Sequence, residues 1–327
     1  MKAMRLHRPG QPLRLDDIDI PSPDPDEVRI KIAACGVCRT DLHVIDGDLP
    51  PPVLPLIPRH EVVGHVVEIG SDVDELKVGM RVGVPWLART CGQCVYCRSG
   101  RENLCDRPKF TGYDTDGGYA EYMVASAANC IVLDSPMDDV HLAPMLCAGL
   151  IGFRSYKRAG KVERLGLVGF GAAAHIIAQV AKADGVEVYA FTRPGDIGTQ
   201  RFALSLGVAW AGGTDAIPPQ PLDAAIIFAA SGDLVPWALR QVRKGGRVVC
   251  AGIHMSDIPQ FPYADLWGER EVVSVANLTR QDGTEFFRRL HDLRIETTVR
   301  PYPLAQANQA LDDLRHGDLH GAAVLVP

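Results

Sequence analysis

No stretch of this 327-residue chain approaches the ~18 uninterrupted apolar residues of a membrane-spanning helix. The N-terminal run, MKAMRLHRPGQPLRLDDIDI, has no apolar segment of the signal-peptide kind. The C-terminal run, GAAVLVP, carries no lipidation or retention signal. Nor is there a basic run: 34 Lys and Arg stand against 40 Asp and Glu, a formal net charge of −6, which speaks against a nucleic-acid partner. Internal repeats and low-complexity tracts are missing too. What remains is a chain with 46% hydrophobic residues, long enough for one to three domains and a sizeable core. The expected location is the cytoplasm, where thiols stay reduced and free for metal.

Thiols are the most informative feature present. Four of the nine cysteines, Cys91, Cys94, Cys97 and Cys105, fall in the run CGQCVYCRSGRENLC. The spacing C-x2-C-x2-C-x7-C, set among small and polar residues, supplies short turns that aim four sulfurs at one ion, as a closed tetrahedral site requires. Free or disulfide-bonded cysteines are the alternative, but a short polar loop with four thiols makes poor core material.

The chain changes character near residue 150. Before it, β-like runs alternate with Pro/Gly turns: EVRIKIAACG, EVVGHVVEIG, GMRVGVPW and GYAEYMVAS. The segment LPPPVLPLIP (49–58) cannot be helix or central strand and is expected to be a rigid exposed loop. From about 163, strand and helix patterns alternate. RLGLVGF, VEVYAF, LDAAIIFAA, RVVCAGI and EVVSVA read as strands, while AAAHIIAQVAKAD, GTQRFALSLG and DLVPWALRQVRKG read as helices. Such alternation predicts an α/β unit with a doubly wound parallel sheet of six strands. The tail adds two helices, over TEFFRRLHDL and AQANQALDDLRH, an extended YPL and a last strand, AAVLV, and is expected to return to the first domain.

Gly169-Phe170-Gly171-Ala172-Ala173-Ala174 is G-x-G-x-x-A, placed after a strand and at the start of a helix. Gly169 would permit the tight turn, Gly171 the approach of a pyrophosphate to the helix N-terminus, and Ala174 close packing of helix on sheet. The next strand ends in Phe191-Thr192-Arg193, with no carboxylate before Asp196. An acidic residue there would accept from a ribose 2′-OH; Thr192 and Arg193 would instead bind a 2′-phosphate. The reading favours NADP, with NAD acceptable if Arg193 only stacks on adenine or faces solvent.

Cys38-Arg39-Thr40-Asp41-Leu42-His43, His60-Glu61 and Cys147 could bring two Cys and one His to a second metal with an open fourth position. By spacing alone they decide nothing, since a lone His60 or Cys147 is more often a satisfied core residue. The residues themselves go further. GVCRTDLH, HE followed by VVGHVVEIG, the four-cysteine lobe, CAGL and the G-x-G-x-x-A turn stand in the order found in a known family. Over essentially its whole length the chain resembles the zinc-dependent alcohol dehydrogenases of the medium-chain dehydrogenase/reductase superfamily, most of all the short bacterial ones.

That resemblance implies an α/β protein with a GroES-like, β-rich catalytic domain (1–150) carrying the zinc lobe (91–105), a Rossmann domain (151–277) and a C-terminal return (278–327). It implies two zinc ions, a nicotinamide cofactor, a small alcohol or aldehyde substrate and a homotetramer or homodimer, with EVVSVA as a pairing strand. Cys38, His60 and Cys147 would hold the catalytic zinc, and Glu61 would sit behind it as a transient ligand. Asp41 would orient the His60 ring. Thr40 would take the substrate proton and pass it, through the cofactor ribose, to His43. Arg39 would meet the cofactor pyrophosphate, Trp86 would line the substrate pocket, and Ile151 would wall the nicotinamide.

Three positions depart from the family. Its Gly-His-Glu is here Arg59-His60-Glu61, so the loop before His60 is expected to run differently. Ile151 replaces a common threonine. Gly321 is followed by Ala322, where the family often has an arginine on the pyrophosphate, leaving more of that charge to Arg39. Polyol and threonine dehydrogenases are the nearest rivals. Zinc-free quinone or enoyl reductases lack the Cys/His set, and a zinc-ribbon binding module would want a basic or aromatic face that this acidic chain does not offer.

Overall fold

A computed structural model describes residues 1–327 except Pro51, Ile253, Asp318 and His320. Pro51 belongs to the proline-rich segment and Ile253 to the end of RVVCAGI, so those two positions lie outside the described residues. The chain forms two compact units. One comprises Met1–Cys147, Asn277–Asp292 and Glu296–Pro327, the other Ala148–Ala276 with Leu293–Ile295.

The first unit is built on a seven-stranded sheet. Its long strand, Glu27–Val37, buries Val28, Ile30, Ile32 and Ala34 by simple alternation. That strand pairs antiparallel with Val62–Ile69, Tyr122–Ser126 and Ala322–Val326. Val62–Ile69 continues to Arg81–Val84 and then to Ile131–Val132. At the other side Val299–Pro303 runs parallel to Ala322–Val326, so the C-terminal residues complete the sheet that the N-terminal residues begin. Inside it, Met4, Val28, Ile30, Val66 and Leu325 belong to one apolar cluster. The proline-rich segment is a loop, but its exposure is only partial. Val53 is 85% exposed, whereas Leu56 and Ile57 are buried, and Leu56 bridges to Leu6. Leu56 and Ile57, between Pro55 and Pro58, pull this end into the core and deliver Arg59 and His60 to the interior.

The second unit holds a six-stranded, all-parallel sheet. Its order is Trp210–Gly213, Glu187–Thr192, Arg164–Val168, Leu222–Ile227, Val242–Cys250, Glu271–Ser274. This is the 3-2-1-4-5-6 order of a doubly wound dinucleotide fold, whose crevice lies where the order reverses. Leu222–Ile227 is buried along its whole length, as a strand covered on both faces must be. Two details differ from the sequence reading. The strand Trp210–Gly213 had no legible pattern, being one aromatic followed by Ala-Gly-Gly. The helix expected over residues 233–245 spans only Leu234–Gln241, and the strand Val242–Cys250 already begins at Val242. Val242 is buried and pairs with Leu222, so sheet pairing overrides the helical pattern there.

Candidate functional site

The four-cysteine lobe is folded by its own turns. Cys94 caps the short helix Val95–Arg98, its sulfur accepting from the Cys97 N–H at 3.5 Å. Cys91 Sγ accepts from Cys94 N at 3.4 Å, and Cys105 Sγ from Cys91 N at 3.2 Å. The sulfur–sulfur separations Cys94–Cys97 and Cys91–Cys97 are 3.5 and 3.9 Å. A tetrahedron with 2.3 Å metal–sulfur bonds has edges of about 3.8 Å, so the donor set fits zinc. All nine cysteines are free, which excludes a disulfide in this lobe. Donation from the Gln93 and Cys94 N–H groups lowers the Cys91 thiol to about 6, while burial and the neighbouring sulfurs push Cys97 up to about 12. Crowded thiols ionise against one another unless a cation compensates them. The lobe is tied to the rest of its unit through buried Glu102, which accepts from the Arg280 N–H at 2.8 Å.

A second cluster forms inside the same unit. Cys38 is the N-cap of the helix Arg39–Asp46, His60 and Glu61 lead into the strand Val62–Ile69, and Cys147 ends the 3₁₀ turn Ala143–Leu146. One ligand atom from each of Cys38, His60, Glu61 and Cys147 lies within 4.8 Å of all the others. Cys38 Sγ stands 3.8 Å from His60 Nε2. Two thiolates and an imidazole form a donor set suited to zinc. Hydrogen bonding to the Cys147 thiol, with Arg59 and His60 nearby, holds Cys38 well below the usual thiol range, and Cys147 is pushed well above it.

Two expectations about this cluster fail. Asp41 does not orient the His60 ring; His60 Nδ1 is buried with no hydrogen-bond partner. Asp41 Oδ2 instead accepts from Cys38 N at 2.9 Å, Arg59 Nη1 at 2.7 Å and Tyr119 Oη at 3.3 Å. It therefore fixes Cys38 and not His60. The loop before His60 also keeps a glycine-like backbone without the glycine, because Arg59 itself sits at φ 101°. For a side chain other than glycine this costs about 1–2 kcal/mol. Room is made from the opposite side: a Cβ on Gly112 or Gly117 would collide with the Arg59 backbone.

Arg59 lies inside this cluster, a placement that sequence reasoning did not foresee. It is 0% exposed, with Nη1 on Asp41 and Nη2 in contact with Glu61 Oε2. Burial opposes its charge, but Asp41 and Glu61 hold it well above its ordinary value. Glu61 is raised to about 8, chiefly by burial. The one available signal was the departure from Gly-His-Glu, which gives no direction for the side chain.

The remaining candidates fall as follows. Thr40 is buried one turn of helix from half-exposed His43, and the i, i+3 spacing puts both on one face. His43 Nδ1 lies 2.8 Å from Asp48 Oδ2. Arg39, on the same helix, is exposed and has no ion-pair partner among the described residues. Trp86 meets the His60 ring edge-on at 4.6 Å and stacks on Phe110 at 5.1 Å, with Tyr113 at 6.2 Å. Phe110 and Tyr113 follow the lobe without any motif to mark them.

In the second unit, Gly169 turns at φ 88°, Gly171 caps the helix Ala172–Ala183, and Ala174 is fully buried against the sheet. A Cβ built on Gly171 would meet nothing within 4 Å, so the face before the helix N-terminus is open, as an approaching pyrophosphate needs. Ile151 is half-buried on the helix Ala148–Ala159. Thr192 is not free for a phosphate: its hydroxyl donates to Arg193 O at 3.0 Å and accepts from Gln200 Nε2 at 3.0 Å. Asp196 caps the following helix by accepting from Thr199 N, and Arg193 is exposed.

Residues 24–135 match the alcohol dehydrogenase GroES-like domain family. The Mycobacterium tuberculosis protein named Probable alcohol dehydrogenase AdhA is 48% identical over 338 residues, covering all of this chain and 97% of the relative. An alcohol dehydrogenase of Geobacillus stearothermophilus is 35% identical over 343 residues, 99% of each chain. Among solved structures, the cobalt- and zinc-bound thermostable alcohol dehydrogenase of Pyrobaculum aerophilum aligns with a TM-score of 0.90 at 28% identity, covering 100% of this chain and 99% of that one. The chain belongs to the zinc-dependent alcohol dehydrogenases of the medium-chain dehydrogenase/reductase superfamily, short bacterial type. It is an oxidoreductase that interconverts alcohols with aldehydes or ketones by hydride transfer with NAD or NADP. Among the described residues no helix is long and apolar enough to cross a membrane.

Proposed function

We propose that Cys38, His60 and Cys147 hold the catalytic zinc and that Cys91, Cys94, Cys97 and Cys105 hold a second zinc that only stabilises their lobe. The observation carrying this reading is the convergence of Cys38, His60 and Cys147 from three distant segments within the unit that also carries Thr40. When bound, the catalytic ion supplies Lewis-acid polarisation of the substrate oxygen. The nicotinamide supplies the hydride acceptor or donor.

The chain's own residues do the rest. Thr40, buried at the start of its helix, takes the hydroxyl proton of the alcohol and relays it to His43. The contact of His43 with Asp48, whose side chain is 58% exposed, gives that proton a route to solvent. Trp86, Phe110 and Tyr113 form an apolar wall beside His60, which supports primary or secondary alcohols with aliphatic or aromatic carbon chains over polyols. The open N-terminus at Gly171 receives the pyrophosphate. With no carboxylate at the end of its strand, exposed Arg193 favours NADP over NAD, without help from Thr192.

The first unit thus carries catalysis and the second the cofactor. Glu271–Ser274 is an edge strand with exposed Glu271 and Val272, which supports pairing between copies as a homodimer or homotetramer. Nine free thiols are consistent with the reducing cytoplasm. The test is turnover with NAD and NADP against aliphatic, benzylic and polyol alcohols, with zinc per chain measured alongside. Two zinc ions and a preference for apolar alcohols with NADP are expected. Turnover that survives removal of Cys38 would refute the assignment.

A further inference from the structure

We propose that Arg59 is a positioning residue that holds the Glu61 carboxylate off the catalytic metal and so keeps one coordination position free for substrate. This rests on the reading that Cys38, His60 and Cys147 hold zinc. Glu61 belongs to the same four-residue cluster, within 4.8 Å of the other three donors. Four protein ligands saturate a tetrahedral ion and make a closed, structural site; turnover needs three and a vacancy. Some feature must therefore restrain Glu61.

The structure offers one. The Arg59 guanidinium, wholly buried, contacts Glu61 Oε2 through Nη2 while Nη1 donates to Asp41 Oδ2 at 2.7 Å. Gly36 lacks the Cβ that would collide with that same Oε2, so the carboxylate is seated between the Gly36 backbone and the guanidinium. Asp41 is fixed in turn by Cys38 N and Tyr119 Oη. The fork of Arg59 thereby links the carboxylate beside His60 to the carboxylate that sets Cys38. Nη1 hydrogen-bonds Asp41 while Nη2 meets Glu61 as an ion-pair contact without a hydrogen bond, and a planar, permanently charged group can serve both carboxylates at once. The left-handed backbone at Arg59, and the two glycines that make space for it, are what allow an arginine to enter from this position.

The test uses cobalt-exchanged full-length protein and its visible ligand-field spectrum, with spectra of the Cys38→Ser protein subtracted to remove the four-cysteine site. With Arg59 present, Glu61→Gln is expected to leave the catalytic cobalt band in place, because that carboxylate is not a ligand. Arg59→Gln is expected to shift the band as Glu61 joins the ion, and to lower kcat at least 10-fold with cobalt content unchanged. The double variant Arg59→Gln/Glu61→Gln should return the band to the wild-type position. A merely structural role for Arg59 would lower thermal stability without moving the band. The proposal is overturned by a shift in Glu61→Gln alone, by an unmoved band in fully loaded Arg59→Gln, or by a shift that persists in the double variant. If Arg59→Gln does not fold, Arg59→Lys takes its place: one ammonium cannot hold both carboxylates, so the same band shift is expected and an unmoved band overturns the proposal. Should Cys38→Ser retain the whole cobalt spectrum, no metal sits at Cys38, and the site assignment itself fails.

Discussion

Replacing Gly171 by alanine should separate cofactor binding from folding. Gly171 sits at φ −106°, which an alanine adopts without strain, and its new Cβ would touch no protein atom within 4 Å. At a helix N-cap alanine is worse than glycine by up to about 1 kcal/mol. The reduced freedom of the unfolded chain returns about 0.4–1 kcal/mol. The net change in stability is near zero, so the melting temperature should stay within about 2 °C of wild type. The cofactor should feel the change far more. The methyl group would project into the open space before the helix N-terminus, which is the proposed place of the pyrophosphate. Losing one hydrogen bond to a charged group costs about 1.5–3 kcal/mol. That corresponds to roughly 10- to 150-fold weaker binding.

Gly169→Ala is the contrasting variant. Its φ of 88° and the Ala229 backbone nitrogen 3.0 Å from the added Cβ make it a folding defect. The backbone term alone is about 1–2 kcal/mol, a fall of roughly 2–8 °C. Thermal melting, with titration of NADPH fluorescence, reads both quantities on each protein. Unchanged nucleotide affinity in Gly171→Ala would refute the placement of the phosphate at this helix.

The two metal clusters should respond differently to loss of one thiolate. Cys94→Ser should lower the melting temperature and halve the zinc content, with residual kcat in the folded fraction. Cys38→Ser should keep the fold and abolish turnover; equal loss of fold in both would defeat the division of labour. Thr40→Val, which keeps the shape and removes the hydroxyl, should lower kcat by about 10²–10⁴-fold at unchanged zinc content. A normal kcat would remove Thr40 from the proton route. Arg193→Ala should weaken NADP binding much more than NAD binding, and an equal loss would point to adenine stacking.

Much of the architecture was legible because the patterns are local. Alternation in EVRIKIAACG, the apolar run LDAAII and the strand–turn–helix around Gly169 each dictate an element from its own residues. The strand Trp210–Gly213 was not legible, since its pairing beside Glu187–Thr192, and not its Ala-Gly-Gly composition, makes it a strand. Residues Val242–Lys244 look helical but are drawn into the sheet by the pairing of Val242 with Leu222. Phe110 and Tyr113 could not be read as neighbours of the metal cluster, because only the packing of Trp86 brings them there. Thr192 illustrates the opposite error: the right residue type at the right position, with its hydroxyl already taken by the backbone and Gln200.

The sequence by itself determined which atoms are available. Four clustered thiols, a glycine-rich phosphate turn and a parallel α/β repeat follow from residue identity and spacing, while Cys38, His60 and Cys147 were singled out only by family resemblance. The chemistry of those groups does not depend on how the chain is routed. Only the tertiary structure decided how the charges around them are shared. An arginine where a glycine is expected could have pointed to solvent, but the fold turns it inward through a left-handed backbone and between two carboxylates. Burial is a property of the whole packed unit, and it is burial that turns Arg59, Asp41 and Glu61 from three ordinary side chains into a single interdependent group.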